Sequence, residues 1–135
     1  MPDTQGQAKK KILIVDDDPS LRQLYGFELG KSYEILEAVD GEEGLAKAKI
    51  EKPDLILLDI MMPKFDGIAY VSKIKEDADL ANIPIIMLTN FGQENLIQQA
   101  FNLGVNDYLL KYKITPEEML EKISQVLGTS APPQL

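Results

Sequence analysis

The sequence predicts an α/β domain in which a doubly wound parallel sheet of five strands is flanked by five helices. Three observations lead to this fold class. Short aliphatic runs alternate with longer segments of helical spacing. The runs at residues 12–15 and 55–58 are apolar at every position, as in parallel strands that are covered by helices on both faces. The length of 135 residues suits a single domain.

The elements follow from these runs in chain order. Strands are expected at residues 12–15, 33–38, 55–58, 83–88 and 107–110. Helices are expected in the segments that follow, at about residues 19–30, 41–51, 66–78, 92–103 and 116–127. Residues 10–128 would then form the domain, with a flexible segment at residues 1–9 and a flexible tail or linker stump at residues 129–135.

Residues at the ends of the helical segments support these boundaries. Asp18 followed by Pro19 is typical of an N-cap and a first helical position. Two further pairs have the spacing of a capping box: Asp40 with Glu43, and Thr115 with Glu118. Three glycines fall just past helical segments, where a left-handed C-terminal cap favours glycine: Gly30, Gly104 and Gly128.

The composition excludes several kinds of chemistry. The chain has no cysteine and no histidine. This excludes disulfides, thiolate or imidazole metal ligands, and Ser-His-Asp or Cys-His catalysis. Any chemistry must therefore use carboxylates, lysines and hydroxyls.

The net charge and the hydropathy pattern indicate which binding partners and which cellular location to expect. Fourteen Lys and Arg residues against 22 Asp and Glu residues give a net charge of −8, so direct binding to nucleic acid or to an anionic membrane is not expected unless basic residues are concentrated on one face. No apolar run approaches the roughly 18 residues of a membrane span, and residues 1–7 lack the apolar part of a signal peptide. We expect a cytoplasmic protein without membrane insertion.

Reactive side chains follow four of the five predicted strands. Asp16 and Asp17 come after the first strand, Asp59 after the third, Thr89 after the fourth and Lys111 after the fifth. The carboxyl ends of parallel strands meet at one end of the sheet, where ligands bind in such folds. Each residue alone is explained as readily by a turn or a helix cap, but their joint occurrence predicts a site.

Three carboxylates at one end of a sheet need a partner. Two like charges at ~4 Å repel by ~4 kcal/mol at an effective dielectric constant of about 20, so Asp16, Asp17 and Asp59 require a cation or raised pKa values. An oxygen-only site suits Mg²⁺, with Mn²⁺ as a substitute, and does not suit zinc. Lys111 would offset part of the charge and offer a cation to a phosphate.

Four blocks of the sequence resemble the receiver domain of two-component response regulators, the fold of the chemotaxis regulator. They are ILIVDDDPSLR at residues 12–22, DLILLDIMMPKFDG at residues 54–67, PIIMLTN at residues 84–90 and DYLLK at residues 107–111. The resemblance covers about residues 10–127. It implies a flavodoxin-like sheet with the strand order 2-1-3-4-5.

The resemblance implies a role for each residue of the predicted site. Asp59 would be the phosphoacceptor, and Thr89 and Lys111 would each contact a phosphoryl oxygen. Four groups would hold Mg²⁺: Asp16, Asp17, Asp59 and the backbone carbonyl of Met61. Tyr108 would be the aromatic switch residue that moves with Thr89 on activation; the alternative is that it is simply a strand aromatic at the sheet edge.

The resemblance also implies a function. The phosphoryl group would come from a sensor histidine kinase or a histidine phosphotransfer protein. Phosphorylation would switch a surface on helix four, strand five and helix five that a downstream protein recognises. The protein would catalyse only its own phosphorylation and a slow dephosphorylation. The sequence leaves open whether phosphorylation drives homodimer formation, and whether the chain is a stand-alone receiver or the front of a longer regulator.

The residues around Lys111 depart from the family pattern. Lys111 is followed by Tyr112, where the family has a proline in a cis peptide. This leaves open a trans bond with a reshaped loop or a strained cis bond. Lys113 is a competitor for the role of Lys111, although strand parity and the DYLLK match favour Lys111.

Three positions beside the phosphoacceptor are expected to modulate the reaction. Met61 and Phe91 would flank the path of the hydrolytic water in this family, and neither side chain can hydrogen-bond a water. We therefore expect slow loss of phosphate, and faster loss in a Met61→Asn, Phe91→Glu double variant. Asn90 is larger than the usual glycine or alanine and would narrow access for donors, unless it turns to solvent.

Two other functions remain as alternatives. A docking or adaptor receiver that is never phosphorylated would keep the fold but would not need Asp17, Thr89 and Lys111 together. An aspartyl-phosphate phosphatase of the haloacid dehalogenase kind would need a second acid two residues after its nucleophile, where this chain has Met61.

Overall fold

The computed structural model describes residues 9–62, 66–90, 94–111 and 113–128. Within these residues strands and helices alternate, which confirms the predicted α/β class. The strands are β1 (Lys11–Val15), β2 (Glu34–Ala38), β3 (Leu55–Asp59), β4 (Ile85–Thr89) and β5 (Asp107–Leu110). The helices are α1 (Pro19–Leu29), α2 (Gly41–Glu51), α3 (Gly67–Glu76), α4 (Glu94–Asn102) and α5 (Pro116–Leu127). The segments predicted to be flexible, residues 1–9 and 129–135, lie outside the described residues apart from Lys9.

The five strands form one parallel sheet in the order β2-β1-β3-β4-β5, which confirms the expected order 2-1-3-4-5. Two pairs in its register matter for the site. Val15 of β1 lies beside Leu58 of β3, and Asp59 of β3 lies beside Leu88 of β4. Because Asp16 directly follows Val15, the register places Asp16 next to Asp59 at the carboxyl end of the sheet.

Helices bury both faces of the sheet. One face packs against α2, α3 and α4 through Leu13, Val15, Ile56, Leu58, Ile85 and Met87. The other face packs against α1 and α5 through Ile12, Ile14, Leu55, Leu57, Ile86 and Leu88. Consecutive side chains of a strand point to opposite faces, so the three central strands must be apolar along nearly their whole length.

Of the three predicted helix N-caps, two are confirmed and the third is confirmed in part. The Asp18 side chain accepts hydrogen bonds from the backbone N–H groups of Ser20 and Leu21, and Thr115 with Glu118 forms both halves of a capping box. Asp40 accepts from the Glu43 N–H as expected. In a capping box the Glu43 side chain would also accept from the Asp40 N–H, but here Glu43 Oε1 accepts from the Val39 N–H instead.

The helix ends include one wrong prediction. Gly104 (φ 105°) and Gly128 (φ 70°) have the left-handed conformation that was expected. Gly30 does not: its φ is −64°, and its N–H continues the helical pattern by donating to the Gly26 carbonyl. The left-handed cap of α2 is Lys52, with φ 47°, and no glycine marks it in the sequence. In the part of the chain that the structure describes, none of the helices is long and apolar enough to span a membrane.

Candidate functional site

Asp16 and Asp59 lie side by side where β1 and β3 end. The Asp16 side chain is fully buried, and Asp59 is 3% exposed. Asp16 Oδ1 accepts a hydrogen bond from the Asp18 N–H at 2.9 Å, and Asp59 Oδ1 accepts one from the Met61 N–H at 3.1 Å. Each carboxylate is therefore oriented by the backbone two residues after it.

Asp17 completes a cluster of three carboxylates. One carboxylate oxygen from each of Asp16, Asp17 and Asp59 lies within 4.8 Å of the others, and the Asp17 side chain is exposed. The cluster therefore opens to solvent on the Asp17 side. The sequence predicted that these three residues would meet, and the register of β1 and β3 brings them together.

Lys111 enters the same cluster from β5. Its Nζ atom lies 3.1 Å from Asp16 Oδ2 and 3.1 Å from Asp59 Oδ2, and its side chain is 8% exposed. The Lys111 N–H donates to the Thr89 carbonyl at 2.8 Å, which extends the β4–β5 pairing by one residue. Lys113, the competing lysine, is exposed.

The buried charges change the pKa values of both partners. Burial, and secondly the neighbouring Asp16, raise the pKa of Asp59 to about 6, although Lys111 and the Met61 N–H oppose this. Burial alone would lower the pKa of Lys111, but the Asp59 and Asp16 carboxylates together raise it above its ordinary value. Lys111 therefore keeps its charge at neutral pH.

The donor set fits Mg²⁺ or Mn²⁺. Three carboxylates and one ammonium leave two negative charges when all are ionised, which a divalent cation would neutralise. The ligand atoms are oxygens, which suits a hard cation. The Met61 backbone N–H orients Asp59, while the predicted role of the Met61 carbonyl as a ligand stays a prediction.

Gly67 allows the start of α3 to lie close to the end of β3. A Cβ atom at this position would lie 2.7 Å from Ile60 Cα and 3.0 Å from the Asp59 carbonyl oxygen, and the Gly67 N–H donates to the Ile60 carbonyl at 3.0 Å. Any side chain would push α3 away from the end of β3. Gly67 closes the sequence block at residues 54–67, but its steric role is visible only in the folded structure.

The two predicted switch residues lie on neighbouring strands, Thr89 at the carboxyl end of β4 and Tyr108 within β5. Thr89 is buried, and its hydroxyl donates to the Asn90 carbonyl at 3.1 Å. The Tyr108 ring packs edge-on against Phe101 of α4, with ring centroids 6.2 Å apart, and Lys122 Nζ lies 5.8 Å from its centroid. Tyr108 therefore contacts both helices that flank β5.

The three predicted modulators are placed only in part. The Met61 side chain is 53% exposed, and Asn90 is exposed. Phe91 and Tyr112 lie outside the described residues, so the modulating role of Phe91 and the geometry of the Lys111–Tyr112 bond stay predictions.

Arg22 is a site residue that sequence reasoning missed. Its Nη1 atom donates to the Asp16 carbonyl at 2.7 Å, and its Nε atom donates to Glu37 Oε1 at 3.2 Å. The signal was available, because Arg22 lies one helical turn after the Asp18 cap, on the helix that starts at the carboxylates. Arg22 lies within a helix and not directly after a strand, where the other site residues were predicted.

The fold and the site define a class of protein: a doubly wound α/β domain whose sheet ends in a carboxylate cluster suited to a divalent cation, with a lysine and a threonine alongside. Within this class, the chain belongs to the response regulator receiver domain family of two-component systems. The model of that family matches residues 12–124.

Curated relatives are transcriptional regulators, which are signalling proteins rather than classical enzymes. The DNA-binding dual master transcriptional regulator RpaA of Synechocystis is 42% identical over 118 residues, which cover 87% of this chain and 48% of RpaA. The alkaline phosphatase synthesis transcriptional regulatory protein PhoP of Bacillus subtilis is 40% identical over 122 residues, which cover 90% of this chain and 50% of PhoP. The chain thus spans about half the length of these relatives.

The expectation that this chain does not bind nucleic acid directly is not supported by these relatives, because RpaA is named as a DNA-binding regulator. The expectation came from a net charge of −8. A net charge does not report where basic residues lie on a surface, and it therefore cannot exclude a local binding patch.

Solved receiver structures share the fold. The chemotaxis protein CheY4 of Vibrio cholerae superposes with a TM-score of 0.82 at 33% identity, covering 88% of this chain and 99% of CheY4. A CheY-like receiver domain protein of Methanospirillum hungatei superposes with a TM-score of 0.83 at 31% identity, covering 90% of this chain and 95% of that chain.

Proposed function

We propose that residues 10–128 form a receiver that takes a phosphoryl group onto Asp59 in a Mg²⁺-dependent reaction. The donor is a phosphohistidine of a sensor histidine kinase or a histidine phosphotransfer protein, and the proposal includes a cytoplasmic location. The observation that carries it is the Lys111 ammonium, which lies 3.1 Å from a carboxylate oxygen of both Asp16 and Asp59 within the three-carboxylate cluster.

The proposed reaction is a direct transfer. A carboxylate oxygen of Asp59 forms a bond to phosphorus while the bond from phosphorus to the donor imidazole breaks, and the electron pair of that bond returns to the imidazole nitrogen. Asp59 must be ionised to attack, and a pKa of about 6 leaves it mostly ionised at pH 7 and above. Lys111 offsets the repulsion between the carboxylates and the incoming phosphoryl group.

The three carboxylates, with the Met61 carbonyl, are the groups that would hold Mg²⁺. When bound, the ion would neutralise charge on the carboxylates and on the phosphoryl oxygens. Asp16 and Asp17 serve the ion alone in this proposal, while Asp59 serves both the ion and the phosphoryl group. The exposed Asp17 side of the cluster is the side open to a donor protein.

The proposed output begins at Thr89. Its hydroxyl would leave the Asn90 carbonyl for a phosphoryl oxygen, and Tyr108 would turn toward the space behind it. Since Tyr108 contacts Phe101 of α4 and lies near Lys122 of α5, its movement would change the surface formed by α4, β5 and α5. A downstream protein that prefers the changed surface would bind the phosphorylated form more tightly.

Beryllofluoride, which mimics an aspartyl phosphate, tests the proposal directly. We expect saturable binding that requires Mg²⁺, observed as shifted amide NMR signals, and no binding to Asp59→Asn. Asp54→Asn is the matched control, because it makes the same change at the opposite end of the sheet, where the Asp54 side chain accepts a hydrogen bond from the Lys11 N–H. Sedimentation of the same samples tests whether the activated form dimerises.

The outcomes separate the alternatives. Absence of binding to the wild-type protein would favour the docking receiver, and binding that persists in Asp59→Asn would place the phosphoacceptor elsewhere. Turnover of many small phosphate esters per protein molecule would favour the phosphatase.

A further inference from the structure

Both backbone polar groups of Asp16 are linked to the end of strand β2, the N–H directly and the carbonyl through Arg22 of α1, although β2 contributes no carboxylate to the site. The Asp16 N–H donates to the Ala38 carbonyl at 3.1 Å. The Asp16 carbonyl accepts from Arg22 Nη1 at 2.7 Å, and the same guanidinium donates through Nε to Glu37 Oε1 at 3.2 Å. Arg22 therefore joins the end of β1 to the neighbouring end of β2.

We propose that Arg22, oriented by Glu37, is a positioning residue that places the Asp16–Asp17 backbone so that the carboxylates can bind a divalent cation. This inference rests on the proposed function, because it concerns the metal of that same site. Arg22 touches neither the carboxylate oxygens nor the phosphoacceptor in the contacts described above, so it acts through the backbone of Asp16.

The peptide link explains how a contact to one carbonyl reaches two side chains. The carbonyl of Asp16 and the backbone nitrogen and Cα of Asp17 lie in one planar unit. A bond that fixes the Asp16 carbonyl therefore also fixes where the Asp17 side chain starts. Asp17 is the exposed member of the cluster, and no described hydrogen bond or ion pair of its side chain holds it in place.

Only an arginine side chain can make both of these contacts at once. A guanidinium has several N–H groups in one rigid plane, and here two of its nitrogens bind two groups far apart in the sequence, the Asp16 carbonyl just after β1 and the Glu37 carboxylate in β2. The Arg22 side chain is 14% exposed, so its stem is packed and its orientation is restricted. A lysine at this position has a single nitrogen and can keep the charge without keeping both contacts.

Removing Arg22 would change the affinity for Mg²⁺ in opposite directions, depending on whether Arg22 acts through its charge or by positioning the backbone. A cation near the cluster repels Mg²⁺, so loss of the charge alone would strengthen Mg²⁺ binding. Loss of positioning would weaken it. The direction of the change in affinity therefore distinguishes the two, and a role of Arg22 in stability alone would leave the affinity of the folded protein unchanged or increased.

The chain offers a matched control in Lys47. Its ammonium donates to the Glu37 backbone carbonyl and pairs with Glu43, so it also binds the end of β2, but it has no described contact with Asp16. Replacing Lys47 by alanine removes one positive charge from the same region. It leaves the Arg22 contact to Asp16 in place.

The experiment is a calorimetric titration of Mg²⁺ alone into the wild-type protein and three variants, with thermal unfolding in EDTA as a measure of folding. We expect Arg22→Ala to bind Mg²⁺ about tenfold more weakly, the lower end of the range for residues that orient metal ligands. Arg22→Lys, which retains the charge, is expected to bind about threefold more weakly. Lys47→Ala is expected to bind as the wild type does or slightly more tightly.

Equal or tighter Mg²⁺ binding in Arg22→Ala would overturn the inference. If Arg22→Ala does not fold, Arg22→Lys decides, and wild-type affinity in that variant would overturn the inference as well. Failure of the wild-type protein to bind Mg²⁺ would instead contradict the proposed function, so the two failures are distinguishable.

Discussion

The two ends of the sheet use the same kinds of polar side chain for opposite purposes. At the amino end, Asp54 and Lys11 join β3 to β1: Asp54 Oδ2 accepts from the Lys11 N–H at 2.7 Å, and the Asp54 N–H donates to the Lys11 carbonyl at 2.8 Å. Asn106 and Ile85 form the same reciprocal pair between β5 and β4, at 3.0 and 2.9 Å. Each polar side chain there satisfies a backbone group that a strand end leaves open.

At the carboxyl end, the side chains face one another instead. Asp16 and Asp59 are buried beside each other and share one ammonium, that of Lys111. Burial raises the pKa of Asp59, which means that its ionised form is held in the folded protein at a cost. A carboxylate at the amino end, Asp54, therefore satisfies a backbone N–H, whereas the ionised carboxylate of Asp59 at the carboxyl end reduces the stability of the fold.

The largest expected effect comes from removing the shared cation. Lys111→Met would leave the buried carboxylates of Asp16 and Asp59 without their cation. We expect the free energy of unfolding to fall by about 3 kcal/mol. Chemical denaturation in EDTA measures it. Lys113→Met removes the same charge two residues later from an exposed side chain and is expected to leave stability nearly unchanged. Equal losses in the two variants would show that the effect is general charge and not the buried pair.

A smaller effect of opposite sign is expected for Asp59→Asn. The folded-state pKa of about 6 lies above the ordinary value of 3.8, so the folded protein binds more protons between these values than the unfolded chain does. The stabilisation from protonated Asp59 is present below pH 3.8 and is lost as pH rises through about 6. Asparagine cannot ionise, so the variant should be more stable than the wild type at pH 8, by roughly 2 to 3 kcal/mol, since each unit of pKa shift corresponds to about 1.4 kcal/mol.

The pH dependence provides the check on this interpretation. Without metal, the difference in unfolding free energy between Asp59→Asn and the wild type should be large at pH 8 and shrink as the pH falls below about 6. A difference that stays constant from pH 5 to pH 8 would mean that it comes from packing and not from the charge. Added Mg²⁺ should reduce the difference at pH 8, because it binds the wild-type carboxylates.

The strands and the residues at their carboxyl ends could be predicted from the sequence. Aliphatic runs such as residues 12–15 and 55–58 predicted the strands correctly, because a strand buried on both faces has no other pattern available. Asp59 and Lys111 were found as residues at strand ends, since topology alone brings those ends together. Neither inference needed the conformation of a loop.

What the sequence did not predict depends on local geometry. Gly30 was predicted as a left-handed cap but has a φ of −64°, while the left-handed cap of α2 is Lys52, which has no glycine to mark it. Arg22 was missed because its partners, the Asp16 carbonyl after β1 and the Glu37 carboxylate in β2, are brought to it only by the tertiary fold. The amino-end pair of Asp54 with Lys11 was not anticipated either, for the same reason.

The smallest expected effect lies at the amino end and uses the same substitution as the test above. Asp54→Asn keeps an oxygen that can accept from the Lys11 N–H, so its stability should stay close to that of the wild type, whereas Asp54→Ala leaves that N–H without its partner and should cost about 1 kcal/mol. Both variants should bind Mg²⁺ with wild-type affinity, because neither touches the carboxylate cluster. Parallel denaturation and Mg²⁺ titrations measure the two quantities. A change in Mg²⁺ affinity in either variant would show that the two ends of the sheet are coupled, and the division between a stabilising end and a reactive end would then not hold.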